Sequence, residues 1–326
     1  MHKLYLRNFN GQDSRAWETN WQDEDMNESL IYAAYNNPYK VDFDRFCLPG
    51  KNIIEGGCGL GRFVVYYAKK GCNIVGIDFA KQTVEYLKAN VKGLPVQYAS
   101  VENIPYENNA FDIYLSIGVM EHFEEGPDSV LTEAYRILKP DGYLILTVPY
   151  INLCKKVKYR IDLLKYRVSK KTNLMKFDDN CYYKKVTGFM KEMNRDFHQY
   201  EFTRREAAQF ISKNRFKVVY MHGCSIAHGL YHIPVIGRSL YYFMKHFMRG
   251  SRKGAGLEKR EEAKQMPFDS IKIPPYRKNN FIYELIKDVV IRENTDRLRV
   301  CPLIRFLQEF CGDFLLIVCK PSIIYK

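Results

Sequence analysis

The stretch Asn52-Ile-Ile-Glu-Gly-Gly-Cys-Gly-Leu-Gly-Arg62, with Asp78 sixteen residues beyond it, constrains this chain more than anything else in it. Ile53 and Ile54 make a short apolar strand that runs into a turn with glycines at 56, 57, 59 and 61. Helix-forming sequence follows from Leu60 to Lys70, and a second apolar strand, Asn73 to Ile77, ends on the Asp78 carboxylate. A strand–helix–strand unit of this kind builds a pocket for a ribose-bearing ligand. The glycines let the backbone approach the ligand closely and leave a helix N-terminus open to an anionic group. An acid at the tip of the neighbouring strand accepts hydrogen bonds from both ribose hydroxyls.

Gly57, Gly59 and Gly61 read GxGxG behind an acidic Glu55, whereas the pyrophosphate-cradling loop reads GxGxxG. On the glycines alone a nicotinamide site or a generic turn stays open. The next hundred residues alternate apolar strands (52–56, 73–78, 95–99, 111–116 and 142–148) with helical stretches near 60–70, 80–91 and 126–138. That alternation predicts an α/β fold with a doubly wound, mostly parallel sheet. Lys139-Pro-Asp-Gly142 reads as a turn that ends one element and begins the next.

Four segments together resemble class I S-adenosylmethionine (SAM) methyltransferases, of the type 11-like group. Residues 55–61 are similar to that family's first motif, and Val96 to Pro105 to its third strand and the loop covering the adenine. Phe111 to Phe123 resembles its fourth strand and the segment after it, and Leu138 to Pro149 its fifth strand with the preceding turn. The resemblance covers residues 45 to 150 and implies a Rossmann-like, seven-stranded sheet with helical inserts after strands 5 and 6. It implies S-adenosyl-L-methionine as cofactor, with Gly57, Gly59 and Gly61 under its methionine part and Glu55 ordering the amino group. Asp78 would hold the ribose diol, Phe79 and Val101 would flank the adenine, and Ser116 and Ile117 would line the pocket near the sulfonium. Many relatives carry Asp where this chain has Ser100; here Ser100 or Glu102 takes the adenine amino group. Arg62 pairs with the methionine carboxylate or with Glu121.

The chain has 326 residues, 46% hydrophobic, enough for a substantial core as one large domain or one domain with insertions. No sustained apolar run follows the N-terminal Met-His-Lys-Leu-Tyr-Leu-Arg. Its nine cysteines contain no CxxC pair and read as reduced, mostly buried thiols in a cytoplasmic protein, with no zinc site. The three histidines at 222, 228 and 232 have no convincing metal spacing. The net charge of +13 is unevenly spread: residues 1–150 are mildly acidic and residues 151–326 strongly basic. A basic half of this kind meets an anionic membrane surface, a phosphorylated substrate or nucleic acid.

Three regions follow. Residues 1–45, with Trp17, Trp21, Tyr32, Tyr35 and Tyr39 among acids, form a helical lid over the cofactor or a helix docked on the sheet edge. Residues 46–150 are the SAM-binding core. Residues 151–326 complete the sheet with strands near 216–221 and 314–320 and carry basic inserts at 151–200 and 222–313. Thr203 and Glu206 form a capping box that starts a helix. Residues 233–248 mix aromatic and basic side chains and are too short and too charged to span a bilayer. They lie in a membrane interface, cap the acceptor site, or pack in the core.

Methyl transfer is an in-line displacement in which the protein supplies alignment, and a hydroxyl acceptor also needs a base. The candidates are His122, beside Glu121 after the fourth strand, and the pair His198 and Tyr200; Tyr150 borders the acceptor pocket. The leading expectation is methyl transfer to a small-molecule, glycan or lipid-linked acceptor by a cytoplasmic protein with peripheral contact at the inner face of an anionic membrane. RNA methylation, a non-catalytic SAM-binding scaffold and a nicotinamide oxidoreductase are the alternatives. No recognised RNA-binding module accompanies the basic stretches.

Overall fold

A computed structural model of the chain describes residues 2–7, 14–15, 17, 34, 37, 39–158, 160–161, 195–225, 266–268 and 302–322. The strands are β1 (His2–Arg7), β2 (Asn52–Gly56), β3 (Asn73–Asp78), β4 (Val91–Lys92), β5 (Val96–Tyr98), β6 (Phe111–Ile117), β7 (Leu138–Pro149), β8 (Arg195–Glu201), β9 (Phe216–Cys224), β10 (Met266–Pro267) and β11 (Phe314–Pro321). The helices used below are α1 (Lys40–Phe46), α2 (Arg62–Lys69), α3 (Lys81–Asn90), α4 (Asp128–Ile137), α5 (Arg204–Lys213) and α6 (Pro302–Cys311).

Seven strands form one sheet in the order β5-β3-β2-β6-β7-β11-β9. β11 runs antiparallel to both neighbours, and the pairings among β5, β3, β2, β6 and β7 are parallel. The expected seven-stranded, mostly parallel sheet is therefore present. The chain direction reverses outward from β2, first to β3 and later to β6, so a crevice opens beyond the carboxyl ends of these strands. Residues 139–142 fall in a break of the β6–β7 register, between the pairs Phe111–Leu138 and Ile113–Tyr143, where the Pro-Asp-Gly turn was expected.

Each face of the sheet buries its own apolar cluster. α1, α2 and α3 cover one face through Phe43, Phe63, Val64, Val84 and Leu87. α4 and α5 cover the other through Leu131, Ala134, Ile137, Phe210 and Ile211. Phe63 meets Phe43 edge to face with centroids 5.4 Å apart; each such fully buried side chain contributes about 1.5–3 kcal/mol. The Thr203–Glu206 capping box forms in both directions at the start of α5.

Two differences from the sequence expectation concern the ends of the chain. The N-terminal segment opens with a strand, not a helix: β1 pairs antiparallel with β8 as a separate two-stranded ribbon. The pairing joins segments almost two hundred residues apart, so no local pattern announces it. β9 also continues to Cys224, which moves the start of the second insert beyond residue 222. The aromatic stretch 233–248 lies outside the described residues.

Lys155 ties three segments together below the surface. Its ammonium lies 2.9 Å from both Glu201 Oε1 at the end of β8 and Asp313 Oδ1 before β11. Asn152 supports the arrangement, accepting from the Lys155 amide and donating to the Gly312 carbonyl. The burial of Lys155 alone would depress its pKa; the two carboxylates outweigh this and hold it above the usual lysine value.

A second polar clasp docks α1 on β9. Asp42 accepts from the Tyr220 hydroxyl (2.9 Å) and faces His222 Nε2 (3.1 Å), while His222 Nδ1 lies 3.0 Å from the Gly223 carbonyl. Both ring nitrogens face acceptor oxygens, and only imidazolium donates to both. Burial lowers the His222 pKa, but Asp42 and Gly223 more than reverse this and raise it, against a smaller opposing effect from Arg204. Arg45 lies over the Tyr220 ring, and Gln308 reaches His222 from α6. A raised histidine pKa stabilises the fold fully below the unfolded value of about 6.5 and stops doing so as pH rises through the folded value. Urea midpoints are expected to fall as pH climbs from about 6.5, by roughly 1 kcal/mol of stability. His222→Gln is expected to flatten that dependence; an unchanged slope would remove the clasp from the account.

Among the described residues no helix is long and apolar enough to cross a membrane, and no group of three metal-ligating side chains gathers. The cysteines at 47, 58, 72, 154, 224 and 319 are free and buried.

Candidate functional site

The crevice at the carboxyl ends of β3, β5 and β6 holds a cavity of about 310 Å³. Its floor is the glycine turn after β2. Gly57 and Cys58 donate their amides to the Ile77 carbonyl at 2.8 and 3.0 Å, which pins the turn to the end of β3. Gly57 has φ +70°, and a Cβ there would come within 2.4 Å of the Val119 Cγ2 methyl. Backbone conformation and the close approach of Val119 both require glycine at this position.

Asp78 sits at the tip of β3, 6% exposed. Its Oδ2 accepts from the Gly59 amide and its Oδ1 from the Ala80 amide, each at 2.8 Å. Burial raises its pKa, and amide hydrogen bonds from Ala80, Gly59 and Phe79 oppose the rise. The Gly59 amide is thus committed to Asp78, not to an anionic ligand group. The carboxylate is held rigidly with its remaining lone pairs at the cavity wall.

Gly57, Gly59, Asp78, Phe79, Val101 and Glu102 line the cavity as expected. Ile117 and His122 line it too. Gly61 stands behind the wall as the left-handed N-cap of α2 (φ +68°). Glu55 is buried beneath the turn, 3% exposed. Burial raises its carboxyl pKa to about 8, helped by Asp78 and opposed by Arg62 and the Val64 amide, and its Oε2 has no partner. Arg62 therefore acts electrostatically on Glu55. Glu121 is also buried, and burial pushes its carboxyl up to about 8.

Two expected site residues lie elsewhere. Ser116 is fully buried with an unpartnered Oγ and does not line the cavity. Successive strand side chains point to opposite faces, so Ile117 turns toward the cavity and Ser116 away from it. Tyr200 packs in the core against Phe202 and donates its hydroxyl to the Glu124 carbonyl, which removes it as a base. Tyr150 is likewise committed, donating to Glu309 Oε2 at 2.8 Å. His198 lies on β8 at the register shift, between the paired residues Phe197 and Gln199; its side chain is outside the described residues.

Ser100 lines the cavity beside Glu102, and four further cavity residues were absent from the expected set: Trp17, Gly118, Val119 and Phe123. Trp17 meets the His122 ring edge to face at 4.8 Å, so the N-terminal segment contributes to the wall. The aromatic density of residues 1–45 was its only sequence signal.

The arrangement fits a SAM-type ligand. A fixed carboxylate stands where ribose hydroxyls reach it, and a glycine cradle lies beneath. A buried carboxyl oxygen without a partner sits under that cradle, suited to an ammonium group. Residues 54–146 match the family model described as "Methyltransferase domain". The chain is 31% identical over 134 residues to a ubiquinone biosynthesis O-methyltransferase of Chromobacterium violaceum, covering 39% of this chain and 56% of that one. It is 26% identical over 205 residues to a demethylmenaquinone methyltransferase of Lactobacillus johnsonii, covering 60% and 76%. A SAM-dependent methyltransferase structure from Methanosarcina mazei superposes with TM-score 0.41 at 19% identity, covering 55% of this chain and 86% of that one. The match thus spans about half the length of the first of these curated relatives. Residues 54–146 match the methyltransferase-domain family model, and the sheet that carries them has the class I S-adenosylmethionine-dependent methyltransferase fold.

Proposed function

We propose that the chain transfers the methyl group of S-adenosyl-L-methionine to a hydroxyl of a small-molecule, glycan or lipid-linked acceptor. The observation that carries this reading is the single cavity running from the Asp78 carboxylate to the Trp17–His122 pair. Asp78 would hold the ribose diol, Phe79 and Val101 would pack on the adenine, and Glu55 would meet the methionine amino group. When bound, the cofactor supplies an electrophilic methyl on sulfur. The protein's part is then to align the acceptor, exclude water and take its proton.

His122 is the residue for the last task. It lines the cavity, while Tyr200 is engaged elsewhere. The wall around it is aromatic and aliphatic (Trp17, Phe123, Val119), which suits an apolar acceptor with one protic group. A relative named for O-methylation in ubiquinone biosynthesis supports the same acceptor class. His122→Gln is expected to lower kcat about 10²–10⁴-fold with cofactor Kd unchanged in calorimetry. A loss under threefold would assign the proton transfer to another group.

The decisive experiment incubates the protein with methyl-labelled SAM and fractionated lysate. Label in the lipid or small-molecule fraction supports the proposal, and label in RNA favours the alternative use of the basic half. Binding without any transfer favours a scaffold. S-adenosylhomocysteine at a hundred times its Kd should add about 2.7 kcal/mol of stability; an equal effect from NAD instead would restore the oxidoreductase reading.

The basic half supports contact with an anionic membrane. In the helical residues 153–158, Leu153 and Val157 are 43% and 46% exposed, one turn apart. Lys156, Lys158 and Arg160 flank them. An apolar pair rimmed by cations fits an anionic lipid surface by hydrophobic insertion plus charge. The purified chain should sediment with phosphatidylglycerol-containing vesicles at low salt and stay in the supernatant with phosphatidylcholine alone. L153D/V157D should weaken vesicle binding roughly tenfold or more. Equal recovery in the supernatant with and without anionic vesicles would count against the surface.

A further inference from the structure

His122 is the last residue of a three-residue 3-10 turn, Met120–His122, that follows β6. Its backbone is held from two sides. The His122 amide donates to the Val119 carbonyl at 3.1 Å, and Tyr200 on β8 donates to the Glu124 carbonyl just beyond. The plane of the imidazole is a separate matter. Torsion about a bond from Cβ to a flat ring is broad and roughly two-fold, so the ring plane is set by what packs against it. A base delivers rate only while its nitrogen stays in line with the proton it takes.

Trp17 packs against that ring. The two centroids lie 4.8 Å apart with the planes 80° from parallel, the T-shaped arrangement that aromatic pairs prefer over a face-to-face stack. Both residues line the cavity, and His122 is 7% exposed. The indole comes from the N-terminal segment and the imidazole from the turn after β6, so neither segment alone fixes the pair.

We propose, on the reading of His122 as the group that takes the acceptor's proton, that Trp17 is a positioning residue for it. Trp17 sets the plane of the imidazole and keeps a ring nitrogen facing the acceptor's protic group. It exchanges no proton and acts through the ring it holds. Phenylalanine in its place offers a smaller ring with the same edge-to-face preference. Leucine fills much of the space and offers no ring to set a plane against. The two substitutions therefore separate ring orientation from simple packing.

Rates are measured with methyl-labelled SAM and the lysate fraction that takes up label. W17L should lower kcat about 2-fold to 10-fold, the range for one aromatic pair, and W17F should stay within about twofold of the native rate by keeping that pair. Calorimetry should give both variants the native affinity for S-adenosylhomocysteine. In an H122Q background W17L should cost nothing more, because residues that act as a unit are not additive. A second readout needs no turnover. With ring-labelled histidine in the full chain, the His122 resonance, identified by its loss in H122Q, should move in W17L and stay near its native position in W17F. An unmoved His122 resonance in W17L, or the same rate loss with and without His122, would overturn the assignment. A matching fall in S-adenosylhomocysteine affinity would give Trp17 to the cofactor instead. If H122Q keeps the native rate, or the native chain transfers no methyl group, the functional reading fails and takes the catalytic part of the assignment with it; the resonances still report whether Trp17 sets the ring.

Discussion

Lys155→Met is expected to destabilise the fold by about 3–5 kcal/mol, the cost of removing one partner from a buried ion network. The lysine side chain is 4% exposed, and those of Glu201 and Asp313 are 7% and 8% exposed. Methionine matches the aliphatic stem and removes only the cation, so packing changes little. Two buried carboxylates then lose the ammonium that bridges them. The loss is large because the ammonium pairs with both buried carboxylates at once; Asn152 accepts from the lysine backbone amide and cannot replace its charge. Urea unfolding followed by circular dichroism measures it. Adding Glu201→Gln to the methionine variant should recover part of the loss, because one of the two buried negative charges disappears. A single-variant cost below about 1 kcal/mol, the range of exposed pairs, would mean that water reaches the site.

Asp78→Ala carries the largest expected effect on ligand binding. The carboxylate has two duties that the substitution ends together. It accepts from the Gly59 and Ala80 amides at 2.8 Å, holding the glycine turn against β3, and its remaining lone pairs face the cavity. Each hydrogen bond to a charged group contributes about 1.5–3 kcal/mol. Losing a two-point ribose contact should therefore weaken S-adenosylhomocysteine binding at least about 100-fold by calorimetry. Asp78→Asn is the sharper control. Its amide nitrogen must face one of the two backbone N–H donors, so it should lose nearly as much affinity despite its matching shape. If both variants bind within tenfold of the native chain, the ribose does not sit at Asp78.

Much of the fold could be read from the sequence wherever local chemistry decides it. Ile53, Ile54 and the glycines that follow need no tertiary information to announce a strand and a tight turn. The Thr203–Glu206 box closes within one helical turn, and the alternation from β2 to β7 repeats a single structural unit. Elements were missed where two distant segments decide the outcome. β1 becomes a strand only because β8 offers it a partner, and Trp17 reaches the cavity only because the N-terminal segment returns over His122. Ser116 and Ile117 show a finer limit. Both stand at the carboxyl end of β6, and the parity that sends one to the cavity and the other to the core depends on where the strand begins to bend. Tyr200 and Tyr150 carry hydroxyls that suit catalysis in the abstract. Glu124 and Glu309 occupy those hydroxyls, and sequence does not record that.

The place of β11 in the sheet sets an order on biosynthesis. Residues 314–321 lie between β7 and β9, yet the ribosome makes them after the other six described strands of this sheet. Until they emerge, β7 and β9 each carry an open row of backbone donors and acceptors, the arrangement most prone to pairing with a neighbouring chain. The nascent protein must therefore hold its half-built sheet apart from other copies until β11 slides into the gap.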